Sequence, residues 1–195
     1  MNRIAIRREN KSKWARCAPL VPDDVMALVA EGIPIAVQPS STRSFVDAAY
    51  ETAGAALRES IERAHLILGV GTPPEQAFDR RRAWMFFTRQ SDDTDQTRPD
   101  LEPLLATEGT LLDYDRIVNE EGERLVTFDC DAAAAEKEEP LPVESSIDAS
   151  RRVSTALRPF MPSLATADFD APSIEDSGLP PILQRACVAW HGQLL

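Results

Sequence analysis

The 195-residue chain is long enough for one domain with a substantial core, and its 43% hydrophobic and 27% charged residues are typical of a globular protein. Its formal net charge of -11 argues against nucleic acid as a partner, because neutralising phosphates requires clustered Lys and Arg. No apolar run approaches the roughly 20 residues of a membrane span, and the opening MNRIAIRREN lacks the apolar core of a signal peptide, so we expect a cytoplasmic protein with no membrane partner.

The first third of the sequence predicts a β–α–β unit. Short β-branched runs at residues 3–7 and 33–37 flank residues 23–31, where apolar side chains recur at helical spacing. The same spacing predicts further helix at residues 47–53 and 57–64.

The second third continues the alternation of strands and helices. Residues 65–70 are almost wholly apolar, as in a strand buried within a parallel sheet. Residues 119–123 predict a hairpin turn that joins residues 111–118 to residues 125–128. The other predicted elements are strands at 84–87 and 110–112 and a helix at 99–107. This order predicts an α/β fold, an open, mostly parallel sheet with helices on both faces, either flavodoxin-like or Rossmann-like.

The composition changes after Phe128 and predicts the organisation of the chain. Residues 1–128 form the α/β domain, and residues 129–145 are small, acidic and proline-containing, as in a linker. Residues 146–195 form a C-terminal segment that returns to pack on the first domain. Within it, residues 147–160 have helical spacing and residues 182–190 are largely apolar.

The common nucleotide, hydrolase and metal signatures are missing. The glycines of GVGTPP, at residues 69–74, follow a strand, but two prolines occupy the turn where a dinucleotide fingerprint opens a helix. No GxSxG, P-loop or HExxH motif is present. Cys17, Cys130 and Cys187 are widely separated and include no CxxC pair, which predicts free thiols and no metal site.

A basic stretch containing Trp14 follows the first strand, at residues 7–20. Ligands of open α/β sheets lie at the carboxyl ends of the strands, so these cations are placed where a carboxylate substrate would dock. A solvated loop that Trp14 anchors to the body is the alternative interpretation, and the spacing alone does not separate the two.

Several segments in fixed order carry a resemblance to a known superfamily. They are RRENKSKWARCAPLVP, IAVQPSSTRSFVDAAYETAGA, ILGVGTPP, AWMFFTRQ and LLDYDRIVNEEGERLVTF. Together they resemble the N-terminal domain shared by alanine dehydrogenase, pyridine nucleotide transhydrogenase and saccharopine dehydrogenase, and within it the lysine-ketoglutarate reductase branch. The tail, with DASRRVSTALRPFMPSLA and LPPILQRACVAWHGQLL, resembles the segment that follows the nucleotide-binding domain of those reductases.

The resemblance implies a substrate-side domain whose inserted NAD(P)-binding Rossmann domain is replaced by the acidic linker. The family's chemistry is the reductive condensation of an amino acid with a 2-oxo acid. We therefore expect no cofactor in this chain, with NAD(P) supplied only by a separate partner. Sharing the fold does not by itself confer the activity.

The resemblance also implies which positions matter. The family's carboxylate-binding Arg is kept as Arg16, whose planar fork suits a carboxylate. Its Lys falls on Gly71 and its His falls on Arg89, while an assisting acid falls on Asp115. We expect Arg16, Arg89 and Asp115 to bind substrate and no residue to be catalytic, because neither glycine nor a permanently charged guanidinium can shuttle protons near neutral pH.

Three hypotheses of function follow. The domain is a catalytically degenerate sensor or regulatory partner that binds an amino acid or a 2-oxo or dicarboxylic acid, or it is the substrate subunit of a split oxidoreductase with a separate nucleotide-binding subunit. In the third hypothesis the domain is structural and forms a homo-oligomer.

Overall fold

The strands form one open sheet in the order β3-β2-β1-β4-β5-β6-β7-β8. The computed structural model describes residues 1–10, 14–88, 101–128 and 140–195. The first six strands run parallel, in the order typical of Rossmann folds, and the last two are antiparallel additions. The predicted open, mostly parallel α/β fold is confirmed. The strands are β1 (Ile4–Ile6), β2 (Ile35–Val37), β3 (Ala56–Leu57), β4 (Leu66–Leu68), β5 (Ala83–Phe86), β6 (Thr110–Asp113), β7 (Cys187–Trp190) and β8 (Gln193–Leu194).

The first two helices, α1 (Pro22–Ala30) and α2 (Asp47–Thr52), lie where the sequence pattern predicts, whereas the helix predicted at residues 147–160 begins earlier, at Val143, inside the predicted linker. Pro22 occupies the first turn of α1, where a backbone N–H is not needed. Asp23 and Asp24 in the same turn carry negative charge at the positive end of the helix dipole. Gly32 follows the helix with a φ of 87°, in the left-handed region that favours glycine. The α-helices are α1 (Pro22–Ala30), α2 (Asp47–Thr52), α3 (Glu102–Ala106), α4 (Val143–Leu157), α5 (Met161–Thr166) and α6 (Pro181–Arg185). In the described residues no helix is long and apolar enough to cross a membrane.

Successive side chains along each strand point to opposite faces of the sheet and form two separate hydrophobic cores. The first face packs against α1, α2, α4 and α5, whose buried members include Leu28, Tyr50 and Val153. The second face carries a smaller core around Ile67 and Trp84, covered by α3 and the segments beside it. The first face is therefore thickly covered, and the second face is covered thinly.

One predicted helix is wrong. Residues 57–64 do not form a helix: Ala56–Leu57 make the short edge strand β3, and the rest is a turn that leads to β4. Ala36 and Val37 of β2 pair with Ala56 and Leu57 in parallel, so this backbone completes the sheet edge. Tertiary pairing has overridden the local helical spacing.

The predicted strand at residues 125–128 is also wrong. The turn at 119–123 does form, since the Asn119 N–H donates to the Glu123 carbonyl at 2.9 Å, but only one bridge, between Val118 and Arg124, extends it. The place beside β6 in the sheet belongs to β7, whose Ala189 pairs with Leu111. The C-terminal segment therefore occupies the position that a local hairpin would need.

Candidate functional site at the carboxyl edge of the sheet

The strand order reverses between β1 and β4, and the turns after these two strands meet at the carboxyl edge of the sheet. In open α/β sheets this reversal opens a crevice in which ligands bind. The segments that follow β1, β2, β4 and β6 supply the polar side chains of this edge, which we call the carboxyl edge.

A buried ion pair fills the crevice between β1 and β4. Arg7 and Glu9 lie 2.8 Å apart with side chains 5% and 1% exposed. The Glu9 carboxylate accepts the N–H groups of Val70 at 2.7 Å and Gly71 at 3.2 Å, and Arg7 donates to the Gly71 carbonyl at 2.7 Å. Burial raises the pKa of Glu9, against the lowering effects of Arg7 and the two N–H groups. The pair fixes the turn after β4.

Gly71, where the resemblance places the family's Lys, lies directly under the indole ring of Trp14. A Cβ added at Gly71 would lie 2.5 Å from Cδ1 of Trp14, closer than real Cβ contacts allow. Trp14 in turn packs edge-on against Phe128, with ring centroids 4.5 Å apart. The space that a longer side chain would need at this position is taken by the segment after β1.

Arg16 lies half-buried in the same segment. One terminal nitrogen of its guanidinium donates to the Leu141 carbonyl at 2.8 Å. Leu141 is buried and stands just before α4. Arg16 thus ties the β1 segment to the C-terminal part of the chain while it lies at the carboxyl edge.

Asp115 lies in the turn after β6 and Arg89 lies outside the described residues. The Asp115 carboxylate forms an ion pair with Arg124 at 3.1 Å, and the Asp115 backbone N–H donates to the Asp113 side chain at 2.9 Å.

Aromatic contacts connect this turn to the segment that contains Arg16. Tyr114 packs on Phe87, Phe87 packs on Phe128, and Phe128 contacts Trp14. The structure leaves the proposed substrate roles of Arg16, Asp115 and Arg89 as predictions.

Buried polar atoms without a described partner cluster at this edge. They belong to four side chains, namely Arg7 Nε, Arg43 Nε and Nη1, Thr72 Oγ1 and Tyr114 OH. Burial raises the pKa of Tyr114 well above its usual value, and the neighbouring Glu9 raises it further. Buried donors are almost always paired in folded proteins, so this group is suited to a ligand or waters that carry acceptor oxygens.

Sequence motifs do not predict two of the buried residues at the carboxyl edge, Glu9 and Arg43. Glu9 stands within the basic stretch, but its partners at Val70 and Gly71 are about sixty residues away in sequence. Arg43 follows β2 in a polar loop, and its side chain becomes buried by stacking 4.9 Å over the Tyr50 ring and donating to the Gln38 carbonyl at 2.5 Å. The only sequence signal for Arg43 is its place after a strand.

The turn after β4 does not fit the pyrophosphate of a dinucleotide. A pyrophosphate needs free backbone N–H groups at a glycine-rich turn that opens a helix. Here the N–H groups of Val70 and Gly71 are taken by Glu9, and Arg7 lies against Gly69, where an added Cβ would approach Arg7 Nε to 2.5 Å. Likewise, no group of three or more His, Cys, Asp or Glu in the described part of the chain could hold a metal ion.

Comparison with known proteins identifies relatives of this domain. Residues 5–135 match the family model described as alanine dehydrogenase/PNT, N-terminal domain. Mitochondrial alpha-aminoadipic semialdehyde synthase of Rattus norvegicus is 35% identical over 125 residues, and the enzyme of Arabidopsis thaliana is 33% identical over 131 residues. Each alignment covers 64% of this chain but only 14% and 12% of the relatives, respectively.

A solved structure of L-alanine dehydrogenase shares the fold. It superposes with a TM-score of 0.51 at 17% identity, over 63% of this chain and 35% of that one. This chain therefore spans a small part of the curated relatives and about a third of the dehydrogenase.

Proposed function

Because the chain belongs to the alanine dehydrogenase/PNT N-terminal domain family and is related to lysine-ketoglutarate reductases, we propose that it binds an amino acid or a 2-oxo or dicarboxylic acid at the carboxyl edge without transferring hydride by itself. The observation that carries this proposal is that Gly71 packs under Trp14, which is close in sequence to Arg16. The resemblance assigns carboxylate binding to Arg16 and places the family's proton-transfer Lys at Gly71, which has no side chain.

Charge favours a carboxylate at this edge. The planar guanidinium of Arg16 can bind a carboxylate with two parallel hydrogen bonds. Within the described residues, one of its two terminal nitrogens donates to the Leu141 carbonyl. Arg43 Nε and Nη1 and Thr72 Oγ1 add buried donors without a described partner, although the charge of Arg43 is paired with Asp47 at 3.3 Å. The names of two similar proteins, L-alanine dehydrogenase and alpha-aminoadipic semialdehyde synthase, refer to an amino acid and an amino-acid derivative, which agrees with this ligand class.

The family's reaction requires catalytic groups that the described residues of the carboxyl edge do not provide. Imine formation and hydride transfer need an acid/base near neutral pKa and a nicotinamide. Gly71 has no side chain, and Glu9 is committed to Arg7 and two backbone N–H groups. Binding without turnover is what the remaining groups support.

Calorimetric titration tests the binding step. L-lysine, L-glutamate, 2-oxoglutarate and saccharopine are titrated into the full chain, and we expect at least one to bind. Arg16→Ala should weaken that binding by tenfold or more, since an Arg–carboxylate contact contributes roughly 1.5–3 kcal/mol. Arg16→Lys should give an intermediate loss because it keeps the charge and loses the fork.

The matched control is Arg151→Ala, which removes an exposed arginine on α4. Circular dichroism establishes that each variant is folded. Binding that survives Arg16→Ala, or no binding of any of the four compounds, contradicts the proposal.

A separate assay tests the absence of catalysis. The full chain is mixed with L-lysine, 2-oxoglutarate and NADPH, and absorbance at 340 nm is followed. We expect no oxidation above the rate without protein. Protein-dependent oxidation would contradict the non-catalytic part of the proposal and leave the binding part standing.

A further inference from the structure

A second cavity opens on the other side of the switch point, against the second face of the sheet. It measures about 460 Å³, within the range of small-molecule sites. Its walls come from the segments after β1, β2, β3 and β4, including Arg8, Gln38 and Glu59. Arg16 is not among the described residues that line it, although Arg7 belongs both to this cavity and to the carboxyl edge described above.

The floor of the cavity is apolar and rigid. It contains Ile67 of β4 and Trp84 of β5, which are neighbours in the sheet and each 1% exposed. Phe78 packs edge-on against Trp84 at 5.1 Å and supports the indole. Such a floor is suited to the hydrocarbon part of a ligand.

Two donors in the lining have no described partner. Trp84 Nε1 and Arg7 Nε are both buried, and both side chains line the cavity. Each is an N–H that can only donate, and leaving such a group buried and unpaired is unfavourable. An acceptor oxygen placed between the floor and Arg7 would relieve that cost.

The rim carries the opposite charge. Glu62 and Asp79 are exposed, line the cavity, and form no ion pair with another described residue. Arg8 is already paired with Glu59 at 2.6 Å. The cavity therefore combines buried donors at its base with uncompensated carboxylates at its mouth.

We propose that this second cavity binds a small zwitterion with an aliphatic chain, such as a neutral amino acid. Its carboxylate lies toward Trp84 and Arg7, its chain covers Ile67, and its ammonium lies near Glu62 and Asp79. The site does not depend on Arg16, although it adjoins the carboxyl edge through Arg7.

Three matched probes test the proposal by calorimetric titration of the full chain. L-norleucine carries both charges, hexanoate lacks its ammonium and pentylamine lacks its carboxylate. We expect L-norleucine to bind best, hexanoate to bind a few times more weakly, and pentylamine to bind at least about tenfold more weakly. Equal binding of all three, or no binding of L-norleucine, overturns the proposal.

Variants locate the bound probe. Trp84→Phe keeps an aromatic ring but removes the N–H, and it should weaken the binding of L-norleucine by about tenfold. Asp79→Asn and Glu62→Gln change exposed side chains and leave the core intact. Each should weaken the binding of L-norleucine by a few fold.

Arg16→Ala is the control for location and should leave L-norleucine binding unchanged. If L-norleucine binding is lost in Arg16→Ala and kept in Asp79→Asn and Glu62→Gln, this proposal fails while the proposed function stands. If binding of L-norleucine follows the cavity variants but no probe requires Arg16, the proposed function fails and this site stands.

Discussion

Gly71 and Trp14 are in such close contact that each restricts what can replace the other. Gly71→Ala should destabilise the protein by about 1–3 kcal/mol, because the added methyl group would meet the indole ring of Trp14 at 2.5 Å and force it to move. Urea denaturation monitored by far-UV circular dichroism measures the change in the free energy of unfolding.

A double-mutant cycle distinguishes this clash from a general effect on the backbone. Trp14→Ala alone should also be destabilising because it removes the edge contact with Phe128. The double variant should then be more stable than the sum of the two losses predicts. Simple additivity would mean that Trp14 does not exclude side chains from position 71.

The two tyrosines report on the cores at alkaline pH. Burial raises the pKa of Tyr50 to about 12, although Arg43 lowers it, and the pKa of Tyr114 is raised well above 10. An unfolded tyrosine titrates near pH 10, so between about pH 10 and 12 the unfolded state has lost protons that the folded state keeps. Stability should therefore fall through this window, by roughly 3 kcal/mol for Tyr50.

Absorbance at 295 nm measures tyrosinate directly, and the chain has no other tyrosines. We expect no tyrosinate in the folded protein at pH 10 to 11, followed by one cooperative rise that coincides with unfolding in circular dichroism. Tyr50→Phe should halve its amplitude. A gradual rise centred on pH 10 in the folded protein would show that a tyrosine is exposed.

Helix α4 is fastened to the segment before α1 by buried serines. Ser150 Oγ accepts the Ala18 N–H at 3.0 Å, and Ser154 Oγ accepts the Val21 N–H at 2.9 Å. Ser150→Ala and Ser154→Ala should each cost about 1–3 kcal/mol, since a buried N–H loses its acceptor. Thermal denaturation with a measured enthalpy gives both values.

Thr155 provides the control on the same helix, because it is exposed and helical. Thr155→Ala should leave stability unchanged or raise it slightly, since Ala has the higher helix propensity. Losses of similar size in all three variants would mean that the losses at the serines do not arise from their hydrogen bonds to the segment at residues 18–21.

The elements that the sequence predicts well are those whose burial pattern is local. The apolar run around Ile67 becomes β4, and the helical spacing around Leu28 becomes α1. The errors arise where distant backbone decides the outcome. Leu57 joins β3 because β2 offers an open edge, and β7 takes the place beside β6 that the strand predicted at residues 125–128 would have needed.

The candidate site divides in the same way. Arg16 and Gly71 can be located through motifs, because each stands at a fixed place after a strand. The contact between Gly71 and Trp14, the Glu9 carboxylate on the turn after β4, and the burial of Arg43 depend on how separate loops meet. No local pattern of residues encodes those contacts.

At the scale of the whole molecule, the C-terminal segment is built into the core of the domain. Strand β7 pairs with β6 through Ala189 and Leu111, and α4 buries Val153 and Leu157 against the first face of the sheet. The Asn2 side chain donates to the carbonyls of Leu164 and Ala167, so the segment before β1 is joined to the end of α5. Residues 5–135, which match the family model, therefore lack part of their own core.

A chain ending at Phe128 should accordingly fail to fold as the full chain does. It would expose the apolar face that α4 and α5 cover and leave β6 as an unpaired edge, which promotes association. We expect loss of the cooperative thermal transition and aggregation in light scattering, whereas the full chain melts in one step. If residues 1–128 alone gave a cooperative transition and a monomer, the C-terminal segment would be an addition to a self-sufficient domain. The hydrogen bonds from Ser150 and Ser154 to the segment at residues 18–21 would then contribute to the attachment of α4 and not to the fold of the sheet.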